Sequence, residues 1–235
     1  MSYLKKEGRK ITDGGFNKKY HDARKKRIDL IYGLNRRTSE VQKIIENKFN
    51  KSDYSRLNCL DIGTVDGLML SKLNNFFRFN KAVGIDISEE LIKTNEDKNI
   101  KLYVGDAENL HFDNDSFDII IACAIIEHVT NPNKMLSECN RVLKKGGILI
   151  ITTPNSFYNW IATKIGYFER GMHLKTFTMK KLQNRLRLNN FEIVFSKTFM
   201  FFPFFKIPFE NQIEFFIRFI GLGKLIPNQL IVGRK

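Results

Sequence analysis

Residues 60–67, with the sequence LDIGTVDG, restrict the possible folds of this chain more than any other stretch. They are predicted to end a short buried strand, turn tightly and begin an amphipathic helix. Gly63 allows the sharp turn, Gly67 allows another segment to approach the backbone closely, and Asp61 places a carboxylate at the end of the strand. A strand, a turn and a helix N-terminus in this order can cradle a nucleotide-like ligand.

The spacing of these glycines narrows the kind of ligand. A dinucleotide site is expected to show Gly-x-Gly-x-x-Gly, whereas Gly63 and Gly67 stand four positions apart with Val65 between them. This pattern disfavours NAD and favours a ligand with a positive group near Asp61. The competing interpretation is that the glycines serve only the turn from strand to helix.

Alternating strand and helix patterns predict the fold class. The predicted strands are residues 58–62, 81–87, 100–104, 117–122, 148–152, 191–195 and 229–233. Apolar runs separated by helical periodicity indicate a mainly parallel sheet, and the two late strands lack a crossover between them. We therefore predict an α/β fold with a doubly wound, mainly parallel, seven-stranded Rossmann-like sheet and an antiparallel edge strand.

The whole chain is expected to form a single domain. Its predicted parts are a helical cap at 1–56, a ligand-binding core at 57–155, and substrate-side insertions with closing strands at 156–235. The cap is predicted to contain two helices, the second capped by Thr38 or Ser39. Cys59, Cys123 and Cys139 have no C-x-x-C spacing, so we expect buried thiols in a reducing compartment and no metal site. Since Lys5 and Lys6 are not followed by an apolar segment, a cytoplasmic location is expected.

The net charge of +14 is unevenly distributed. Residues 57–155 carry more acidic than basic side chains, whereas both flanks are basic. Basic flanks can attract nucleic acid, anionic lipid or phosphorylated substrates. A solvated lysine-rich surface without a partner is the other interpretation.

Residues 199–226 contain far more aromatic side chains than a short edge segment needs. The phenylalanines are Phe199, Phe201, Phe202, Phe204, Phe205, Phe209, Phe215, Phe216 and Phe219. Three interpretations compete: ordinary core beneath the cap, the lining of an apolar acceptor pocket, or insertion into a bilayer surface with Lys206, Arg218 and Lys224 at the headgroups.

Five motifs in order resemble the class I S-adenosylmethionine-dependent methyltransferases, particularly the branch that methylates quinone precursors, sugars and other small molecules. The resemblance covers roughly residues 57–195. The motifs are LDIGTVDG at 60–67, GIDIS at 84–88, GDAENL at 105–110, the segment from FD at 117–118 to EHV at 127–129, and RVLKKGG at 141–147. The family implies S-adenosyl-L-methionine as the cofactor.

By this resemblance, the cofactor residues lie at the carboxyl ends of the first four strands. They are Asp61, Gly63, Thr64, Gly67, Asp86, Ile87, Asp106, Ala107, Ala122 and Cys123. Asp61 would hold the methionine ammonium, Asp86 the ribose hydroxyls and Asp106 the adenine amino group. The alternative for Asp86 and Asp106 is a purely structural role as caps. Where the family has its middle glycine this chain has Val65, so either the turn is remodelled or the cofactor sits differently.

Methyl transfer needs a base only if the acceptor must lose a proton. His173, in the region where related enzymes contact substrate, is the candidate general base for a hydroxyl acceptor, and a capping or surface role is its alternative. The expected function is methyl transfer, as O-methylation, to a small-molecule or lipid- or sugar-linked acceptor that is hydrophobic or phosphate-bearing. A peripheral membrane contact is a further expected partner. The alternatives are an RNA methyltransferase that uses the basic flanks and a non-catalytic binding protein.

Overall fold

The computed structural model describes residues 26–164 and 175–235. Within them, seven strands form one sheet with the order β3-β2-β1-β4-β5-β7-β6. The strands are β1 (Asn58–Ile62), β2 (Lys81–Asp86), β3 (Lys101–Val104), β4 (Phe117–Cys123), β5 (Leu143–Pro154), β6 (Glu192–Phe199) and β7 (Asn228–Arg234). Neighbours from β3 to β5 are parallel, whereas β7 is antiparallel to both β5 and β6. The predicted fold class is confirmed, including the antiparallel edge.

Helices connect most of these strands. They are α1 (Ile28–Lys48), α2 (Leu68–Phe77), α3 (Glu89–Ile92), α4 (Pro132–Val142), α5 (Ser156–Lys164), α6 (Met179–Leu188) and α7 (Glu210–Phe219), with short 3-10 helices at Lys51–Arg56 and Gly223–Leu225. None of the helices in the described ranges is long and apolar enough to cross a membrane.

The sheet separates the core into two halves, and strand β4 contributes side chains to both. Ile120 packs into a cluster on one face of the sheet, whereas Ile119 and Ile121 pack into a second cluster on the other face. All three side chains are fully buried. A parallel strand covered on both faces needs apolar residues at successive positions, which explains why this segment is a continuous apolar run.

The N-terminal cap differs from its prediction. Over its described part it is one continuous helix, α1, so the predicted second start at Thr38 or Ser39 is wrong. Thr38 lies mid-helix, where its hydroxyl donates to the carbonyl of Leu34 at 2.8 Å. A threonine that bonds one turn back satisfies its hydroxyl without ending the helix, and sequence alone does not distinguish this from a cap.

The aromatic segment also differs from the core-packing interpretation. Of its nine phenylalanines, Phe199 is fully buried. Five are exposed, namely Phe205, Phe209, Phe215, Phe216 and Phe219. Core packing is therefore wrong for most of the segment, because α7 turns its aromatic side chains outward.

Candidate functional site

The turn after β1 is tied to the neighbouring strand. The backbone N–H groups of Gly63 and Thr64 both donate to the carbonyl of Ile85, at 2.9 and 3.0 Å. Asp61, at the end of β1, is buried, and the Thr64 hydroxyl donates to its carboxylate at 2.8 Å. The arrangement places a buried carboxyl group at the carboxyl edge of the sheet, where the strand pattern predicted it.

Both predicted glycines occupy positions that exclude a side chain. Gly63 has a φ of 72° and Gly67 a φ of 77°. A Cβ atom on Gly63 would lie 3.0 Å from the side chain of Ile125, and one on Gly67 would lie 2.7 Å from Ile100. Left-handed backbone and close packing together explain glycine at these two positions.

Val65 adopts the left-handed backbone of a glycine. Its φ is 59°, and the glycines before and after it in the turn, Gly63 and Gly67, also have positive φ values. A β-branched residue is a genuine outlier in this region, at a cost of about 1–2 kcal/mol. Of the two possibilities that the sequence left open, a remodelled turn and a differently placed cofactor, the strained backbone is consistent with the remodelled turn.

Replacing Val65 with glycine is expected to raise the free energy of unfolding by about 0.5–1 kcal/mol, because relieved strain exceeds the added entropy of the unfolded chain. Urea unfolding of the two proteins measures the difference. Val65→Ala is the matched control, since alanine keeps the Cβ atom and its strain. An equal gain from alanine would mean that side-chain crowding, and not the backbone, is the cause.

Asp86 lies at the end of β2 and joins the glycine turn to the next helix. Its two carboxylate oxygens accept from the N–H of Val65 and the N–H of Ser88, both at 2.9 Å. The capping role is therefore present. A carboxylate has about four acceptor sites, so a capping carboxylate can also accept from the hydroxyls of a ribose. Ile87, which is half-buried, follows at the same edge.

Asp106 organises the turn after β3. Its carboxylate accepts from the N–H of Glu108 at 2.8 Å, and its carbonyl accepts from the N–H of Asn109 at 3.0 Å. Ala107 is buried in the core beside it. Asp106 also borders a groove of about 770 Å³ along β2 and β3, whereas Asp61 and Asp86 do not line that groove. The groove therefore meets the predicted cofactor site only at its adenine end.

Ala122 and Cys123 end β4 beside β1. Ala122 is fully buried, and burial raises the pKa of the Cys123 thiol to about 12. The carboxylates of Asp61 and Glu127 are both within electrostatic range of this thiol. The Cys123 thiol is thus neutral near pH 7, in the electrostatic field of both carboxylates.

Glu127 was not among the site residues predicted from the sequence. It is 2% exposed, and neither carboxylate oxygen makes a hydrogen bond of ordinary geometry. Burial raises its pKa to about 7, although its own backbone, Thr153 and Arg37 act to lower it. The available signal was an acidic residue in an otherwise apolar stretch soon after a buried strand.

Further buried oxygens without partners lie in a row beside Glu127. Within the described ranges, the Thr153 hydroxyl and the Gln229 amide oxygen make no hydrogen bond of ordinary geometry, although Thr153 lies close enough to Glu127 to lower its pKa. Thr153 and Gln229 are register partners on β5 and β7. We call Glu127, Thr153 and Gln229 the polar row. Buried oxygens in native proteins nearly always have partners, so a set of unpaired ones indicates a place for a polar ligand.

His173 lies outside the described residues. Lys175, two positions later in the chain, donates its backbone N–H to the carbonyl of Glu127 at 3.1 Å. The role of His173 therefore stays a prediction. His128 is half-buried, and its backbone N–H closes a turn onto Ile125 at 2.8 Å.

Comparison with known proteins identifies the family. Residues 60–151 match the model of the methyltransferase domain. The uncharacterized protein MJ1252 of Methanocaldococcus jannaschii is 30% identical over 240 residues, covering 90% of this chain and 92% of that protein. This chain belongs to the class I S-adenosylmethionine-dependent methyltransferases. Its cofactor is S-adenosyl-L-methionine, and the acidic residues that end β1, β2 and β3 fit the ammonium, ribose and adenine of that molecule.

Two other comparisons bear on this methyltransferase. A solved S-adenosylmethionine-dependent methyltransferase of Thermotoga maritima, described as a possible histamine N-methyltransferase, has a TM-score of 0.67 at 18% identity over 96% of this chain and 98% of that one. The ubiquinone biosynthesis O-methyltransferase of Coxiella burnetii is 32% identical over 114 residues, 46% of this chain. The chain spans 48% of that enzyme and 36% of MJ1123 of M. jannaschii, which is 41% identical over 73 residues.

Proposed function

We propose that this methyltransferase O-methylates a hydroxyl group of a small-molecule acceptor, and that the polar row holds that acceptor. The observation that carries the proposal is Glu127, a buried carboxyl group whose oxygens make no hydrogen bond of ordinary geometry to any residue in the described ranges. Leaving such a group unpaired costs about 1–3 kcal/mol, which an N–H or O–H group of the acceptor other than the reacting hydroxyl would offset. The partial match to an O-methyltransferase supports the same chemistry.

In-line methyl transfer depends mainly on positioning, and the residues of this chain can supply it. Asp61 and Asp86 would fix the two ends of the methionine and ribose part of the donor. Glu127 and Thr153 would orient the acceptor oxygen toward it, with water excluded by burial. His173 would accept the hydroxyl proton. A hydrophobic or lipid- or sugar-linked acceptor in the cytoplasm is the class that we propose.

The polar row also predicts a dependence of stability on pH. The pKa of Glu127 is about 7 in the folded chain and 4.5 in its unfolded reference. The folded state therefore binds this proton more tightly, so the contribution is full below about pH 4.5 and is lost as the pH rises toward 7. We expect Glu127→Gln to remove this loss and to be more stable than the wild type by roughly 2–3 kcal/mol at pH 8.

Urea unfolding of both proteins between pH 5 and about 8 measures the effect. The same variant should methylate its acceptor more slowly, with unchanged cofactor affinity, because glutamine alters the acceptor contact alone. A Glu96→Gln variant is the control, since Glu96 is exposed in the loop between α3 and β3. If Glu127→Gln left both stability and turnover unchanged, Glu127 would have no place in the acceptor site.

Incubation of the enzyme with methyl-labelled cofactor and a metabolite extract tests the function directly. Label in a hydroxyl of a small molecule, found by mass spectrometry, supports the proposal. Label in RNA from a parallel incubation would instead support an RNA methyltransferase, the alternative that the positive charge of the two flanks suggests. Calorimetry with S-adenosylmethionine addresses the non-catalytic alternative, which predicts a folded protein without measurable binding.

A further inference from the structure

Helix α7 buries acidic side chains and exposes aromatic ones, which is unusual for a surface helix of a globular protein. Glu210 and Glu214 are buried on its inner side, at 6% and 1% exposure. Phe215, Phe216 and Phe219 lie on its outer side, at 66%, 60% and 78% exposure. At 100° per residue these phenylalanines project roughly opposite the two glutamates. An ordinary amphipathic helix shows the reverse pattern, with its apolar face toward the core.

Buried charges hold α7 in this orientation. Arg36 of α1 donates to Glu214 at 3.0 Å, and Tyr32 donates to Glu210. The other Glu214 oxygen accepts from the N–H of Phe201 at 3.0 Å. Rotating the helix to bury its phenylalanines would break these bonds and leave unpaired buried charge, which costs about 3–5 kcal/mol. The outward aromatic face is thus a fixed feature of the fold.

The exposed apolar surface extends beyond the three phenylalanines. Phe209 precedes α7 and is 74% exposed, and Phe215 and Phe219 stack on each other with ring centroids 6.3 Å apart. The four phenylalanines alone expose roughly 500 Å², at about 200 Å² per side chain. Further exposed apolar residues on neighbouring elements are Phe157, Trp160, Ile220, Leu222 and Leu225. We call this set the aromatic face. Its area is that of an interaction surface.

Within residues 199–235, the exposed side-chain charges beside the aromatic face are all positive. Residues 199–235 contain two acidic side chains, Glu210 and Glu214, and both are buried. Lys206 and Lys224 are exposed beside the face. A third cation, Lys164, lies over the Trp160 ring with its ammonium 4.3 Å from the ring centroid. The partner that complements this surface is apolar and bordered by negative charge.

We propose that the aromatic face docks on an anionic lipid bilayer, with the phenylalanines at the boundary of headgroups and acyl chains and the lysines at the lipid phosphates. Aromatic side chains and flanking lysines are the residues that settle at this depth of a membrane. The attraction of each lysine to an anionic surface adds to the apolar contribution. This inference is independent of the acceptor proposed above.

Two other occupants fit less well. A second copy of the chain would bring Lys206, Lys164 and Lys224 toward their own counterparts, in a protein that already carries a net charge of +14. Single-stranded RNA could stack its bases on phenylalanine, but Ile220, Leu222 and Leu225 offer no ring for stacking. Hydrocarbon satisfies the aromatic and the aliphatic side chains alike.

Sedimentation with vesicles tests the proposal. The full chain is mixed with vesicles of phosphatidylcholine alone or with about 30% phosphatidylglycerol, at low and at physiological salt. We expect binding to the anionic vesicles that weakens as salt rises. The double variant Phe215→Ser with Phe219→Ser should bind at least about tenfold more weakly, because two inserted side chains are lost. Phe76→Ser on α2 is the matched control, since Phe76 is 53% exposed on a different surface.

Circular dichroism and S-adenosylmethionine binding, which needs no acceptor, show that each variant is folded. Absence of wild-type binding to anionic vesicles at low salt would overturn the proposal, as would equal losses in the double variant and the Phe76 control. A dimer in light scattering that the double variant dissociates, without vesicle binding, would assign the face to a second copy. Binding of RNA in place of vesicles would assign it to nucleic acid. Loss of methyl transfer alone bears on the proposed function and leaves the vesicle result unaffected.

Discussion

Replacing His173 with glutamine is expected to slow methyl transfer about 10²–10⁴-fold, the range for removing a general base. An acceptor hydroxyl must lose its proton as the oxygen attacks the methyl group, and neutral imidazole is the side chain suited to take it near pH 7. Cofactor affinity should stay nearly constant, because the predicted cofactor contacts come from other residues. Single-turnover rates and calorimetry with S-adenosylmethionine separate the two quantities.

His111→Gln is the control for this variant, since His111 is an exposed histidine in the loop after β3. A decrease of less than about threefold would assign His173 to a structural role, because general bases contribute far more.

Asp86→Ala is expected to weaken S-adenosylmethionine binding by about 100-fold or more. Two hydrogen bonds from the ribose hydroxyls to a charged acceptor would be lost, each worth roughly 1.5–3 kcal/mol. Calorimetry measures the affinity, and circular dichroism checks the fold. Unchanged affinity would contradict the assignment of Asp86 to the ribose.

The caps that Asp86 forms require a second comparison. Loss of its bonds to Val65 and Ser88 could weaken binding by loosening the turn. A cofactor analogue without the 2′- and 3′-hydroxyls distinguishes the two causes. If Asp86 binds the ribose, the variant and the wild type should bind the analogue with similar affinity. An equal loss for the analogue would mean that Asp86 acts only through the turn.

The strands were predictable because local pattern and tertiary structure agree. Ile119, Ile120 and Ile121 form a continuous apolar run, and a run of this kind suits only a strand covered on both faces. The continuity of α1 through Thr38 was not predictable, because the Thr38 hydroxyl can either cap a helix or bond back to Leu34 within one. Only the surrounding backbone decides between these two states.

The proposed cofactor residues could be predicted from the sequence, whereas the proposed acceptor residues could not. Asp61 and Asp86 each end a predicted strand, and parallel strands bring their carboxyl ends to one edge of the sheet. Glu127 acquires its properties from burial beside Thr153 and Gln229, which are far from it in sequence. The outward face of α7 could not be predicted for the same reason, because its glutamates are paired with residues of α1 that are far away in sequence.

The buried ionic cluster around Arg36 constrains how this protein can evolve. Arg36 contacts the carboxylates of Glu40, Glu210 and Glu214, and Lys197 also pairs with Glu40. A substitution at Arg36 alone would leave several buried carboxylates with too little positive charge, and such losses usually cost about 3–5 kcal/mol. Homologues should therefore keep these residues together or replace them together by apolar ones. We therefore expect helices α1 and α7 to change together in evolution, although more than 160 residues of chain lie between them.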